Sequence, residues 1–272
     1  MKQTTVWVLI ILVLAAAAAW FLNARQPVTG HPSTLETPPA MAVEQPEPVV
    51  EYPVEDILPE AVEEPVEIEP DPPEPLPELS ASDRVISEEA SGLLGADVVV
   101  GWFMTEQLIQ KIVATVDSLD AKQIAPLVLP VRPPAGKFLV QGGDEIFSIS
   151  PFNADRYEPY AAMAATVDVN AAVAAYARYY PLFQQAYEEL GYPDAYFNDR
   201  LVEVIEHLLA TPRPAVAPDL VRSEAVFVYA DADLEALSGG QKILLRMGEE
   251  YRAIIDAKLV QARAALASTG SE

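Results

Sequence analysis

Apolar and polar positions along this chain change rhythm twice, and the two changes divide it into three parts. From Val6 to Leu22 every residue is apolar, a run of 17, and no charge interrupts the 22 residues from Gln3 to Ala24. As a helix rising about 1.5 Å per residue, the run spans roughly 26 Å, close to the ~30 Å of a bilayer core. From Gln26 to Ser80 the apolar positions have no period, and proline recurs throughout. From Ala81 onward they return at spacings of three and four, the signature of helices packed on one face.

Within that third part the pattern predicts a helix over Ser82 to Leu94, with Val85, Ile86, Leu93 and Leu94 on one face and Gly95 as its stop. A second helix follows Thr105 as cap, with the stripe Leu108, Ile109, Ile112, Val113, Val116 and Leu119. The four prolines of "APLVLPVRPPAG" make an irregular crossing. Two β-type runs flank Gly142-Gly143-Asp144, a hairpin signal, and "EAVFVY" (Glu224 to Tyr229) offers a third strand. Further helices are predicted over Asn153 to Val167, Asn170 to Leu190, Asp194 to Ala210, Ser238 to Met247 and Glu249 to Ala267. Pro181 is expected to kink the longest of them by removing a bond to Ala177. The expected fold class is mainly α (α+β), a multi-helix domain with a small hairpin or three-stranded sheet.

Flanking charge orients the apolar run. Lys2 lies on one side, and on the other Arg25 is the only basic residue before Arg84. The expectation is a signal anchor over residues 1–25, crossing the membrane through residues 6–22, with Trp7 and Trp20 near the interfaces. A cleaved signal peptide is the alternative, because Ala15 to Ala19 holds Ala-x-Ala sites. Residues 26–80 contain 14 prolines, 14 acidic residues and no Lys or Arg. Proline denies backbone hydrogen bonds and like charges repel, so a disordered, extended tether is expected. Residues 81–272, with 27 acidic and 15 basic residues, form the folded domain.

Composition excludes more than it assigns. The net charge of −24 disfavours nucleic acid and anionic surfaces as partners. With no cysteine there is no disulfide, thiolate site or thiol nucleophile, and of only two histidines one, His31, falls in the tether. "LSGGQK", Leu237 to Lys242, is similar to the signature of ABC-type ATPases. A phosphate-cradling loop is missing, however: the only Gly-Lys, Gly136-Lys137, is followed by Phe138, and five residues before it stands Val131. Nucleotide is therefore not an expected partner. Ser238 followed by Gln241 reads instead as a capping box, a structural helix start. No G-x-S-x-G elbow is present, and no metal or cofactor is expected.

The densest polar cluster is "NDRLVEVIEHLLATP". Arg200 and Glu203 are spaced i,i+3, and Glu203 and His207 i,i+4. With Asn198, Asp199 and Arg132 as a candidate partner, these residues form either an ion-paired structural face or a Glu/His acid–base pair. Eight of eleven tyrosines fall between Tyr157 and Tyr196. They form either core or a glycan-stacking platform.

Six segments occur together: "ATVDSL", "LPVRPP", "RYEPY", "YPLFQQAYEELGYP", "FNDRLVEVIEHLLATP" and "LEALSGGQKILLRMG". Over most of Ser82 to Leu266 they resemble the bacterial domain of unknown function 3014 family. That resemblance implies an N-terminal membrane segment, a Pro-rich spacer and this domain, and brings no activity, cofactor or catalytic residue. The expectation is a single-pass inner-membrane protein of a Gram-negative bacterium with its C-terminal domain in the periplasm. It would bind an envelope protein or the cell wall without catalysis. The alternatives are a periplasmic enzyme using Glu203 and His207, or a peptidoglycan-binding module.

Overall fold

The computed structural model describes residues 51–52, 75–124, 128–143, 145–224 and 226–267. The expected membrane run, most of the expected tether and the C-terminal five residues lie outside these. No described helix is long and apolar enough to cross a membrane.

The described part is mainly helical with a small four-stranded antiparallel sheet, an α+β fold. In chain order the elements are α1 (Asp83–Leu94), α2 (Ala96–Trp102), α3 (Leu108–Ser118), β1 (Val140–Gly143), β2 (Ile146–Ile149), α4 (Glu158–Thr166), α5 (Val169–Leu190), α6 (Phe197–Leu209), β3 (Asp219–Ser223), β4 (Val226–Tyr229), α7 (Ala232–Ala236), α8 (Gly239–Arg246) and α9 (Glu249–Ala267). The core lies where α3, α5, α6 and α9 pack together. Its centre is aromatic: Tyr176, Phe183 and Phe197 are buried, with ring centroids 5.4 Å apart for Tyr176–Phe183 and 5.8 Å for Phe183–Phe197.

Several element boundaries have a visible physical cause. The Asp168 carboxylate accepts from the Asn170 and Ala171 amides at 3.0 and 3.2 Å and starts α5. Pro181 sits inside α5, which runs through it as one helix of 22 residues. The helix expected after Thr105 begins later. Its first turn, preceded by Gln107 in a left-handed conformation (φ 52°), is capped from a distance. Both oxygens of Asp83, on α1, accept from the Gln107 and Leu108 amides at 2.7 and 2.9 Å. A carboxylate 24 residues upstream thus does the work assigned to Thr105. Residues 151–167 are two elements, a 3-10 turn over Pro151–Arg156 and then α4, because Pro159 fits only a first turn.

The sheet has one strand more than expected. β1 and β2 form the predicted hairpin, pairing Val140 with Ile149 and Gly143 with Ile146. β4 pairs with β3, and β3 returns to pair with β2 after α4, α5 and α6. In "DLVRS" only Leu220 is buried, too short a pattern to reveal a strand. Packing also starts before residue 81: Leu79 is buried, and Tyr52 and Leu76 pack against the core.

Candidate functional site

The polar residues of "FNDRLVEVIEH" are all on α6, yet they face four different neighbours, Glu206 accepting from Arg263 of α9. Arg200 turns to α3. Its Nε and Nη2 donate to Asp117 Oδ1 at 3.0 Å and Asp120 Oδ1 at 2.9 Å, and Nη2 also reaches the Asp117 carbonyl at 2.8 Å. Nη1 takes Glu203 Oε2 at 3.0 Å, as the i,i+3 spacing predicts. Burial opposes the charge on Arg200, but the hydrogen bonds it donates to Glu203, Asp120 and Asp117, with the Asp120 charge, outweigh it and hold its proton more firmly than usual. Nearby, burial and the Asp117 charge push the Tyr187 phenol up to about 12.

His207 does not meet Glu203. Its Nε2 lies 2.9 Å from Ser238 Oγ, and its carbonyl accepts from Gln241 Nε2 at 3.0 Å. Those are the two residues of the capping box at the start of α8: Ser238 Oγ accepts from the Gln241 amide at 3.2 Å, and the Ser238 amide donates to Gln241 Oε1 at 3.4 Å. The glycines of "LSGGQK" make the same junction tight. The Gly239 and Gly240 amides donate to the Ala121 and Leu119 carbonyls at 2.7 and 3.0 Å. A Cβ at Gly240 would lie 2.7 Å from both the Leu119 carbonyl oxygen and Leu208 Cδ2. The ATPase-like stretch therefore joins three helices and presents no phosphate cradle. The Glu203/His207 acid–base pair of the alternative reading is not formed, because each residue is committed elsewhere.

Asn198 and Asp199 face yet another way, toward the backbone of Glu51 and Tyr52. Arg132 forms no hydrogen bond or ion pair with any of these; its main chain bonds Trp102 and Tyr160. It is exposed, carries no carboxylate partner among the described residues, and borders a groove instead. Of the eight clustered tyrosines, Tyr157, Tyr160, Tyr176, Tyr179 and Tyr187 are buried, so these five rings are core and offer no face to a glycan.

The groove beside Arg132 has a volume of about 630 Å³ and a mostly apolar lining with two arginines at it. Gly101 and Trp102 come from the end of α2, Pro133 and Ala135 from the "LPVRPPAG" crossing, Leu139 from the approach to β1, and Phe152 and Arg156 from the 3-10 turn. Pro159 and Tyr160 come from the first turn of α4. The crossing is pinned to α2, since the Arg132 amide donates to the Trp102 carbonyl at 2.8 Å and Met104 donates to Pro130 at 2.8 Å. Tyr160 packs edge-on against Trp102, centroids 5.2 Å apart, and donates its hydroxyl to the Arg132 carbonyl at 3.0 Å. Burial raises the Tyr160 phenol, so it stays a donor. Arg156 spends its guanidinium on the Ala135 and Gly136 carbonyls and Asn153. Phe152 and Leu139 at the rim are 72% and 40% exposed. Arg132 and Arg156 thus face the groove with no carboxylate bound to them, and Asp155 alone opposes them there. Among the described residues no His, Cys, Asp or Glu cluster could hold a metal ion.

The model of a family described as Protein of unknown function (DUF3014) matches residues 108–263, more than half the chain. The chain belongs to this family. The matched span runs from the start of α3 into α9, and includes Arg132, the Arg200 hub and the capping box. No curated protein and no solved structure matches the chain. The groove was not legible in the sequence: "LPVRPP" and "RYEPY" carry five of its eleven lining residues, but only the fold brings them beside Trp102 and Phe152.

Proposed function

We propose that this family member is a membrane-tethered binding module of the bacterial cell envelope, not a catalyst, held by residues 6–22 with its folded domain in the periplasm. Its partner is a protein segment carrying prolines and carboxylates, which lies along the Trp102/Tyr160 groove. The groove carries this reading. Proline-rich segments favour surfaces of aromatic rings and prolines, since they bind with little loss of chain entropy. In a chain with 41 acidic and 17 basic residues, a groove where Arg132 and Arg156 outnumber Asp155 is a local positive spot. Catalysis has less support, because Glu203, His207 and Arg200 already satisfy one another or neighbouring helices.

Placing a photo-crosslinking amino acid at Phe152 in the full-length protein in cells tests the groove. The expected product contains an acidic, proline-bearing protein segment and disappears in Arg132→Glu. Crosslinks that persist in Arg132→Glu, or that reach only glycan, count against it. A topology reporter fused after Glu272 and active only in the cytoplasm would remove the periplasmic assignment.

A further inference from the structure

Two residues of the expected tether, Glu51 and Tyr52, lie against the first turn of α6 through three main-chain hydrogen bonds. The Asp199 carboxylate takes one amide on each oxygen: Glu51 N–H donates to Oδ2 at 3.0 Å and Tyr52 N–H to Oδ1 at 2.8 Å. Asn198, fully buried, donates from Nδ2 to the Tyr52 carbonyl at 2.8 Å. The Tyr52 ring packs against the edge of the core, where Glu206 and Arg263 act on its phenol after burial and Glu51. Asn198 Oδ1 is buried and accepts no hydrogen bond, so the site has one acceptor that Glu51 and Tyr52 leave unused.

We propose that the N-terminal turn of α6 is a docking site for an extended peptide strand bearing an aromatic residue, occupied here by the chain's own Glu51–Tyr52 as a releasable latch. The chemistry divides into two parts. Asp199 and Asn198 hold main-chain groups, which any extended strand presents, while the Tyr52 ring supplies the selective contact. Asp199 stands in the first turn of α6, and each of its two oxygens accepts one main-chain amide of the docked strand. The contact is small, but it is intramolecular. Twenty-six residues separate Tyr52 from Leu79, the first buried residue of the 3-10 turn before α1. Linkage over such a distance gives a millimolar-scale effective concentration, enough to close a weak contact in cis while leaving it easy to open. The site is separate from the Trp102 groove and does not depend on the function proposed for it.

Native-state digestion of the full chain with glutamyl endopeptidase reads the latch directly. The Glu51–Tyr52 bond is the protected one, and the Glu60–Ala61 bond is the internal control. Each rate is divided by that of the same bond in a synthetic peptide of the same sequence. The expected result is cleavage after Glu51 about tenfold slower than after Glu60, with the difference lost in both Asp199→Ala and Tyr52→Ala. Tyr52→Ala leaves α6 unaltered, so it stands even if Asp199→Ala weakens the helix. A fluorescent peptide of residues 48–56 should then bind the Tyr52→Ala chain, bind the parent several-fold more weakly, and fail to bind the Tyr52→Ala/Asp199→Ala chain. Equal parental rates at the two bonds, protection retained in either variant, or no peptide binding to the Tyr52→Ala chain overturns the proposal.

Discussion

Gly240 sets helix propensity against packing, and the two make opposite predictions for Gly240→Ala. By propensity alone, alanine inside a helix is better than glycine by about 1 kcal/mol, so the variant should be more stable. The fold says otherwise. A Cβ at Gly240 would stand 2.7 Å from the Leu119 carbonyl oxygen and 2.7 Å from Leu208 Cδ2. Leu208 is a flexible side chain, but Leu119 offers backbone, and its carbonyl already accepts from the Gly240 amide at 3.0 Å. Relief means moving the start of α8 away from the end of α3 and stretching that bond. Because one of the two clashing atoms is backbone, the cost belongs in the upper part of the overpacking range, about 2–3 kcal/mol, which leaves a net loss of about 1–2 kcal/mol after the propensity gain. For a domain of this size that is a fall in Tm of about 2–8 °C. Gly101 is the control, being in α2 with nothing within 4 Å of a Cβ, so Gly101→Ala should be neutral or stabilising. Thermal unfolding by circular dichroism compares the three proteins. A Gly240→Ala protein that melts at or above the parent would refute the argument that close approach, and not chance, put glycine there.

Three further outcomes follow from the geometry. Ser238→Ala removes the cap of α8 and the partner of His207 Nε2, and should cost about 1 kcal/mol or somewhat more in chemical denaturation; an unchanged midpoint would mean the capping box carries no weight. Arg200→Met leaves Asp117 and Asp120 facing each other without their cation, and should cost about 2 kcal/mol, below the buried-pair range because Glu203 is 69% exposed; adding Asp117→Asn should return part of it. At high pH, Tyr187 loses its proton near 10 in the unfolded chain and near 12 in the folded one, so its contribution is complete below pH 10 and fades as pH rises toward 12. Unfolding should therefore accompany tyrosinate absorbance over that interval, and Tyr187→Phe should move the midpoint upward.

The helical stripes were legible because apolar spacing is a local property. The expected helix from Glu249 to Ala267 coincides with α9, and α5 and the β1–β2 hairpin lie where periodicity and Gly142-Gly143 put them. What the sequence hid is contact between distant residues. Asp83 caps α3 in place of the nearer Thr105, and Ser238 draws His207 away from Glu203 although i,i+4 spacing offered a closer partner. β3 was missed because a five-residue strand with one buried side chain has almost no pattern. The polar cluster on α6 was visible, but its division among α3, α8, α9 and Tyr52 depends on helix orientation. The groove depends on the same thing, since exposure of Phe152 is a property of the assembled surface.

The placement of α9 has a consequence for how the protein is made. Ile255, Leu259, Ala262 and Leu266 are buried, and this last helix packs against α4, α5 and α6, so the chain's final described element closes its central core. A nascent chain that has emerged only as far as α8 still exposes the apolar faces that α9 will cover. The central core therefore cannot close until α9 itself has been made.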